Sequence, residues 1–250
     1  MRILVVNDDG IYSPGLAALA RNATKLGDVR IVAPDVEQSS AGHAITATRP
    51  VRIKRTNVGD DIEAYRVNGT PADCVALGVH LWERVDLVLS GVNLGLNLGN
   101  ATWHSGTLAG AKQAVLLGVR GIAFSAPADE TTDFDALEPW IERVLETLLD
   151  NDEPQLVNVN FPDEPRDLRW TAQAVDQYNG AVVPDTDPMG REHYWFTVVP
   201  LERHREGTDL WAVEHGFVSL TPLRLDLTDH GQLERAIETA GGRPAQVSSS

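Results

Sequence analysis

Two carboxylates stand side by side straight after an apolar run. Ile3, Leu4, Val5 and Val6 lead directly into Asn7, Asp8, Asp9 and Gly10. Like charges on neighbouring residues repel, and partial dehydration raises the cost. A divalent cation with hard oxygen ligands removes it. Taken alone, NDDG also reads as a turn or an Asx cap. Further oxygen-bearing side chains recur downstream. Ser39 and Ser40 lie in a polar loop, Asn93 and Asn97 lie in a glycine-rich one, and His104-Ser105-Gly106-Thr107 precedes an alanine-rich segment. That last group is either an ordinary helix N-cap or a phosphate nest, in which free N–H groups, hydroxyls and a glycine admit an anion closely. Gly91, Gly95 and Gly99 recur every four residues, which matches neither the dinucleotide fingerprint nor a Walker A loop. His43 and His104 are candidates for proton transfer, and each also reads as a loop histidine held by its neighbours. Hard oxygens and an anion nest together describe metal-assisted chemistry on a phosphate.

The elements that must position these residues follow from pattern. Residues 3–6 are β-branched and apolar, as in a parallel strand buried on both faces. Leu16, Leu19, Ala20 and Ala23 have helical spacing, with Ser13 as N-cap and Pro14 at the first helical position. Gly27 stops that helix, and residues 29–33 form a second strand. This is a right-handed βαβ unit, so the loop at 34–44 returns to the sheet edge that carries Asp8 and Asp9. Ligands in open α/β sheets bind at this edge. Residues 45–55 and 62–67 read as an antiparallel hairpin beside the parallel sheet. Thr70, Pro71 and Asp73 open a helix to about Trp82. Residues 86–90 form a strand, 91–107 a long loop of the kind that usually carries function, and 108–117 a helix. A strand at 121–125, an amphipathic helix at 134–149 and a strand at 156–160 follow.

Beyond about residue 165 the helical periods thin out. Trp170, Tyr178, Tyr194, Trp195, Phe196 and several prolines dominate, and residues 193–200 and 217–221 read as strands. A flat aromatic arm either covers its own sheet or packs on a partner subunit. The expected organisation is a Rossmann-like core over 1–165, extended hairpins and oligomerisation elements packed on that core over 166–230, and a largely unstructured tail over 231–250.

Composition narrows the function. The chain has 250 residues, 42% of them hydrophobic, which suffices for one α/β domain with a smaller appendage. Thirty-six acidic against 21 basic side chains give a net charge of −15, which argues against a groove for a nucleic-acid duplex. A single cysteine, Cys74, excludes an internal disulfide and a cysteine-based zinc site. With no leader-like segment and no apolar run of about 18 residues, a membrane span is not expected and the cytoplasm is the expected location.

The blocks NDDGIYSPG, APDVEQSSAGHAIT, GTPADCVALG, SGVNLGLNLG and HSGTLAGA occur in this order, and WAVEHGFVSLTPL follows at residues 211–223. In kind, order and spacing they resemble the signature blocks of the SurE family, the survival-protein nucleotidases. The resemblance implies a Rossmann-like fold whose C-terminal extended elements exchange between subunits in a homodimer or homotetramer. It implies a phosphatase that acts on nucleoside monophosphates with one divalent metal ion, Mg²⁺ or Mn²⁺; 3′-nucleotidase and exopolyphosphatase activities are further expectations. By match to the motifs, Asp8, Asp9, Ser39 and Asn93 would hold the metal, and Asn97, Ser105, Gly106 and Thr107 the phosphate. Asp8 or Asp9 would take a proton from water, and His43 or His104 would protonate the leaving oxygen.

The rival reading is a non-enzymatic receiver-like switch domain, which also carries an acidic pair after its first strand and binds Mg²⁺. Such a domain needs a phospho-accepting aspartate after a central strand and a later lysine. Here the strand at 86–90 runs into Ser90, Gly91, Val92 and Asn93, and the only later lysine, Lys112, falls inside a helix.

Overall fold

The structure is a computed structural model that describes residues 1–59, 61–128, 132–150, 153, 155–175, 179–199 and 204–240. Its centre is β1 (Arg2–Val6), flanked by β2 (Asp28–Pro34) on one side and β5 (Leu87–Leu94) on the other, all parallel. β3 (Ile53–Thr56) and β4 (Glu63–Val67) extend the sheet beyond β2. β6 (Arg120–Ala126), β7 (Leu156–Asn160), β11 (Phe217–Pro222) and β8 (Asp167–Trp170) extend it beyond β5. The nine-stranded order is β3-β4-β2-β1-β5-β6-β7-β11-β8.

β1 is buried on both faces, and the alternation of its side chains decides which layer each one meets. Ile3 and Val5 join the core beneath α1 (Pro14–Thr24) and α4 (Glu138–Leu149). Leu4 and Val6 join the core beneath α2 (Pro71–Leu81). α3 (Gly106–Leu116) covers the same face further along, through Leu108 and Ala111 against Ala123 and Leu156. The connection after β1 leads to β2, and the one after β5 leads to β6 on the opposite side. The crevice between the C-terminal ends of β1 and β5 is therefore the topological switch point, where open α/β sheets bind ligands.

Local signals set the helix starts. Pro14 and Pro71 occupy first-turn positions, where a missing N–H costs nothing. Thr70 and Asp73 form a reciprocal capping box. Ser13 is the N-cap of α1, but its hydroxyl makes no cap hydrogen bond.

Several elements differ from the pattern reading. The hairpin at 53–67 is antiparallel, yet β4 also pairs in parallel with β2, so the hairpin is part of the main sheet. β5 runs on to Leu94, because the chain re-enters register with β6 past an irregularity between Ser90 and Asn93. In the C-terminal third, β11 lies antiparallel to β7 and β8 parallel to β11, so both complete the main sheet. Among the described residues, only β9 (Asn179–Thr186) and β10 (Glu192–Val199) form a separate hairpin. α5 (Asp209–Glu214) and α6 (His230–Ala240) are helical where extended chain and an unstructured tail were expected. α6 starts where Asp229 accepts the Gln232 N–H at 2.8 Å, a side-chain cap. Leu233 and Ile237 lie one turn apart on it, a spacing too sparse to stand out in sequence. Tyr178, Pro200 and the 241–250 stretch fall outside the described residues.

α1 must approach β5 closely for the crevice to form. A Cβ placed on Gly15 would run into the carbonyl oxygen of Val92 and the ring of Phe134. Gly15→Ala should destabilise the protein by about 2–3 kcal/mol, as overpacking against backbone does. Urea unfolding measures this, and a loss within error of zero would show that α1 can withdraw freely.

Candidate functional site

Asp8 and Asp9 emerge from β1 into the switch-point crevice, and three other segments close around them. The loop after β2 reaches the pair through Gln38, whose backbone N–H donates to the Asp8 carbonyl oxygen at 2.8 Å. The end of β5 reaches it through Leu94, whose N–H donates to Asp9 Oδ2 at 3.3 Å. The start of α3 reaches it through Thr107, whose hydroxyl donates to Asp8 Oδ1 at 2.6 Å. Gly106 makes that approach possible, since a Cβ there would lie 2.8 Å from Asp8 Oδ2. The first turn of α3 is further tied to β5 by the Ser90 hydroxyl, which donates to the Thr107 carbonyl at 2.6 Å.

The electrostatics are those of an unneutralised pair. Asp8 is only 4% exposed. Burial holds its carboxyl above the usual carboxylate range, against the pull of the Thr107 hydrogen bonds. Asp9 is pushed up to about 6, first by burial and then by the charge of Asp8. Glu37, which pattern did not single out, adds a smaller repulsion to both. The groups that donate to the pair are neutral N–H and O–H groups. This is an oxygen-rich acidic pocket that a hard dication fits by charge. The Asn93 amide N–H donates to the Gly95 carbonyl at 2.6 Å, one residue from the Leu94 N–H that meets Asp9. Ser39 lies next to Gln38 on the loop that reaches Asp8, and its exposed hydroxyl donates to Glu37 Oε1 at 2.6 Å. A charged acceptor two residues away wins that proton.

The phosphate candidates occupy the neighbouring space. Ser105 is the N-cap of α3, and its hydroxyl oxygen accepts the Leu108 N–H at 3.0 Å, so the hydroxyl proton remains to be donated. Asn97 is buried, and its amide donates to Ser125 Oγ at 2.8 Å and, at a long 3.5 Å, to Thr107 Oγ1. The histidines sit further out. His43 is exposed, with Nε2 paired to Gln113 Oε1 of α3 at 2.9 Å. His104 is exposed beside Ser105, and its carbonyl accepts the Gly42 N–H at 3.0 Å. Neither imidazole hydrogen-bonds to Asp8 or Asp9.

Residues 3–180 match the family model described as "Survival protein SurE". The chain belongs to the SurE family. Among curated SurE relatives, the "5'-nucleotidase SurE 1" of Thermus thermophilus is 49% identical over 240 residues, covering 94% of this chain and 96% of the relative. The "5'-nucleotidase SurE" of Deinococcus radiodurans is 46% identical over 248 residues, covering 94% and 92%. The crystal structure of the SurE protein from Aquifex aeolicus superposes with a TM-score of 0.83 at 38% identity, covering 96% of this chain and all of that one. The span matched by the SurE model contains every candidate site residue and ends as β9 begins.

Four buried partners of the site went unremarked in sequence: Ser125, Asn158, Asn160 and Asp209. Asn158 and Asn160 donate to the Asn97 carbonyl at 2.8 and 3.2 Å, and Asn160 Oδ1 accepts the Asn97 N–H at 2.8 Å. Asp209 Oδ2 accepts the Gly99 N–H at 2.8 Å. The available signal was polar residues inside apolar strands, the alternating asparagines of LVNVN and the serine that ends GIAFS. Asp209 carried no signal, because its contact spans 110 positions.

The raised Asp9 carboxyl makes a signed prediction for the metal-free protein. An unfolded aspartate ionises near 3.8, and folded Asp9 near 6. The fold therefore favours the protonated form. Its stabilising contribution is complete below about pH 3.8 and is lost as pH rises through about 6. With chelator present, Asp9→Asn should raise the melting temperature at pH 7.5 and change it little at pH 4. A variant that melts lower than the parent at pH 7.5 would refute the repulsion.

Proposed function

We propose that this chain hydrolyses nucleoside monophosphates to nucleoside and inorganic phosphate, as a 5′-nucleotidase that works with one divalent cation, Mg²⁺ or Mn²⁺. Its relatives in Thermus and Deinococcus carry the 5′-nucleotidase name at nearly half identity over nearly full length. The observation that carries the reading is the Thr107–Asp8 contact, which presses an anion-accepting helix start against two carboxylates. A phosphate entering that space meets negative charge on one side and free donors on the other. It is tolerated only with a cation between them, and Asp8, Asp9, Asn93 and Ser39 are the oxygens to hold one. When bound, such a cation supplies charge neutralisation, a polarised phosphate oxygen and a more acidic water.

The protein's own groups do the rest. The Ser105 hydroxyl, the Asn97 amide and the Gly106 N–H at the start of α3 hold the equatorial phosphate oxygens. Thr107 keeps Asp8 fixed. Asp9, less buried and bonded only by one long N–H, accepts the proton of the attacking water. His104 flanks Ser105 and gives a proton to the leaving oxygen, whereas His43 is held to Gln113.

The test is phosphate release from AMP and other 5′- and 3′-mononucleotides and polyphosphate, with Mn²⁺, with Mg²⁺ and with chelator. Turnover of AMP that stops with chelator is expected, and binding without turnover would favour a switch module instead. Asp9→Asn should abolish most turnover with the fold intact, Ser105→Ala should cost on the order of 10²-fold, and His104→Gln should cost more than His43→Gln.

The −15 net charge supports a small substrate over a nucleic-acid duplex. The lone cysteine is buried and fits a reducing compartment, and we place the enzyme in the cytoplasm. Among the described residues no helix is long and apolar enough to cross a membrane. We read the β9–β10 hairpin as the element that docks on a second copy in a homodimer or homotetramer. Among the described residues it pairs with no strand of the main sheet, and Val182, Val183, Tyr194 and Trp195 are exposed on it. An isolated hairpin is marginal in water. Replacing Tyr194 and Trp195 together with serine should lower the mass measured by light scattering, and an unchanged mass would remove the hairpin from the interface.

A further inference from the structure

We infer that Asn158 and Asn160 of β7 are positioning residues, which set the backbone of Asn97 so that its side-chain amide meets the phosphate. The inference rests on the reading of Asn97 as a phosphate contact.

Asn97 lies in the long loop between β5 and α3, where no strand or helix fixes its backbone. Both of its peptide groups are instead held by side chains. One amide, Asn160, grips it from two sides: Oδ1 accepts the Asn97 N–H at 2.8 Å, and Nδ2 donates to the Asn97 carbonyl at 3.2 Å. Asn158 adds a second donor to that carbonyl at 2.8 Å. The two asparagines alternate along β7 and so share a sheet face. In register, Asn160 stands opposite Ser125 of β6, and Ser125 Oγ takes one amide proton of Asn97 at 2.8 Å. The ends of two strands thus define both the backbone and the side-chain direction of a single loop residue.

What this leaves unused is informative. The second contact of the Asn97 amide, to Thr107 Oγ1, is 3.5 Å long, while the Thr107 proton is committed to Asp8. A well-held amide therefore keeps one poorly used N–H beside the α3 N-terminus. A phosphate oxygen would complete it.

Core packing does not account for this arrangement. Asn158, Asn160 and Ser125 are buried to 1% exposure or less. Their strand neighbours Leu156, Val157 and Val159 are aliphatic, and buried amides cost free energy unless fully hydrogen-bonded. Among the described residues Asn158 Oδ1 finds no hydrogen-bond partner. A strand selected for stability alone would carry valine at both positions.

Inorganic phosphate and AMP, each with Mn²⁺ present, are the probes. Asn160→Ala should raise the phosphate dissociation constant, measured by calorimetry, and the KM for AMP together, on the order of tenfold. kcat should stay within about threefold, because Asn97 holds the phosphate in ground and transition states alike. Mn²⁺ affinity should not move. Asn158→Ala, which leaves both Asn160 bonds, should give a smaller rise of about threefold. A folded Asn160→Ala protein with a lower melting temperature but unchanged KM and phosphate affinity would reduce the pair to loop anchors and overturn the inference. A loss confined to kcat would overturn it too. If Asn160→Ala does not fold, Asn158→Ala decides by the same two readouts. If the parent binds phosphate but releases none from any mononucleotide, the nucleotidase reading fails, while the two phosphate affinities still judge the positioning role.

Discussion

Two adjacent carboxylates at the end of a fully buried strand are the constraint around which this molecule is built. Nothing in β1 itself pays for them: apart from Arg2 at its far end, the strand supplies only buried apolar side chains. Relief has to arrive from elsewhere in sequence, and what arrives is neutral. A hydroxyl comes from the first turn of α3 and a backbone N–H from the end of β5. The loop after β2 adds a backbone tie but also brings the charge of Glu37. Hydrogen bonds of this kind fix geometry without cancelling charge, which is why both carboxyls remain raised. That unbalanced charge is what the proposed dication would neutralise.

The same constraint explains where the chain uses glycine. Gly106 and Gly15 sit where two backbones, or a backbone and a carboxylate, come closer than any Cβ permits. Both approaches narrow the crevice between β1 and β5. The helix that presents its N-terminus and the helix that follows the acidic pair are pressed in from opposite faces of the sheet. The site is therefore a consequence of layer packing, and the loops finish what the two helices begin.

How much of this was legible in the sequence follows from how far each interaction reaches. The β1 strand, the prolines that open α1 and α2, and the Thr70 and Ser105 caps are all decided within a few residues, and pattern offers each of them; the return bond from Asp73 to Thr70 appears only in the structure. The edge at which Asp8, the 34–44 loop and Asn93 meet was also legible, because βαβ handedness dictates it. What pattern missed acts across long separations. Asn160 reaches 63 positions back to Asn97, and Asp209 reaches 110 back to Gly99. The direction of the Ser39 hydroxyl was missed for the opposite reason: an exposed proton follows the closest charge, and Glu37 is two residues away. Pattern reads the C-terminal strands as extended hairpins packed on the core and does not tell which join the main sheet, because aromatic-rich extended chain looks alike whether it completes a sheet, as β11 does, or stands apart, as β9 and β10 do.

The C-terminal third then has a role in the site that its composition concealed. β11 seals the far side of β7, so the asparagines at the end of β7 are enclosed rather than exposed at a sheet edge. Asp209, at the head of α5, grips Gly99 with one carboxylate oxygen and Ala174 with the other. The loop that carries Asn97 is thus held at residue 97 from the sheet and at residue 99 from α5. A loop pinned at both points loses little conformational freedom when an anion binds, since that entropy was lost on folding. Rigid donors on one side and repelling carboxylates on the other divide the labour. In the proposed reaction the first would select a phosphate, and the second would require a cation to enter with it.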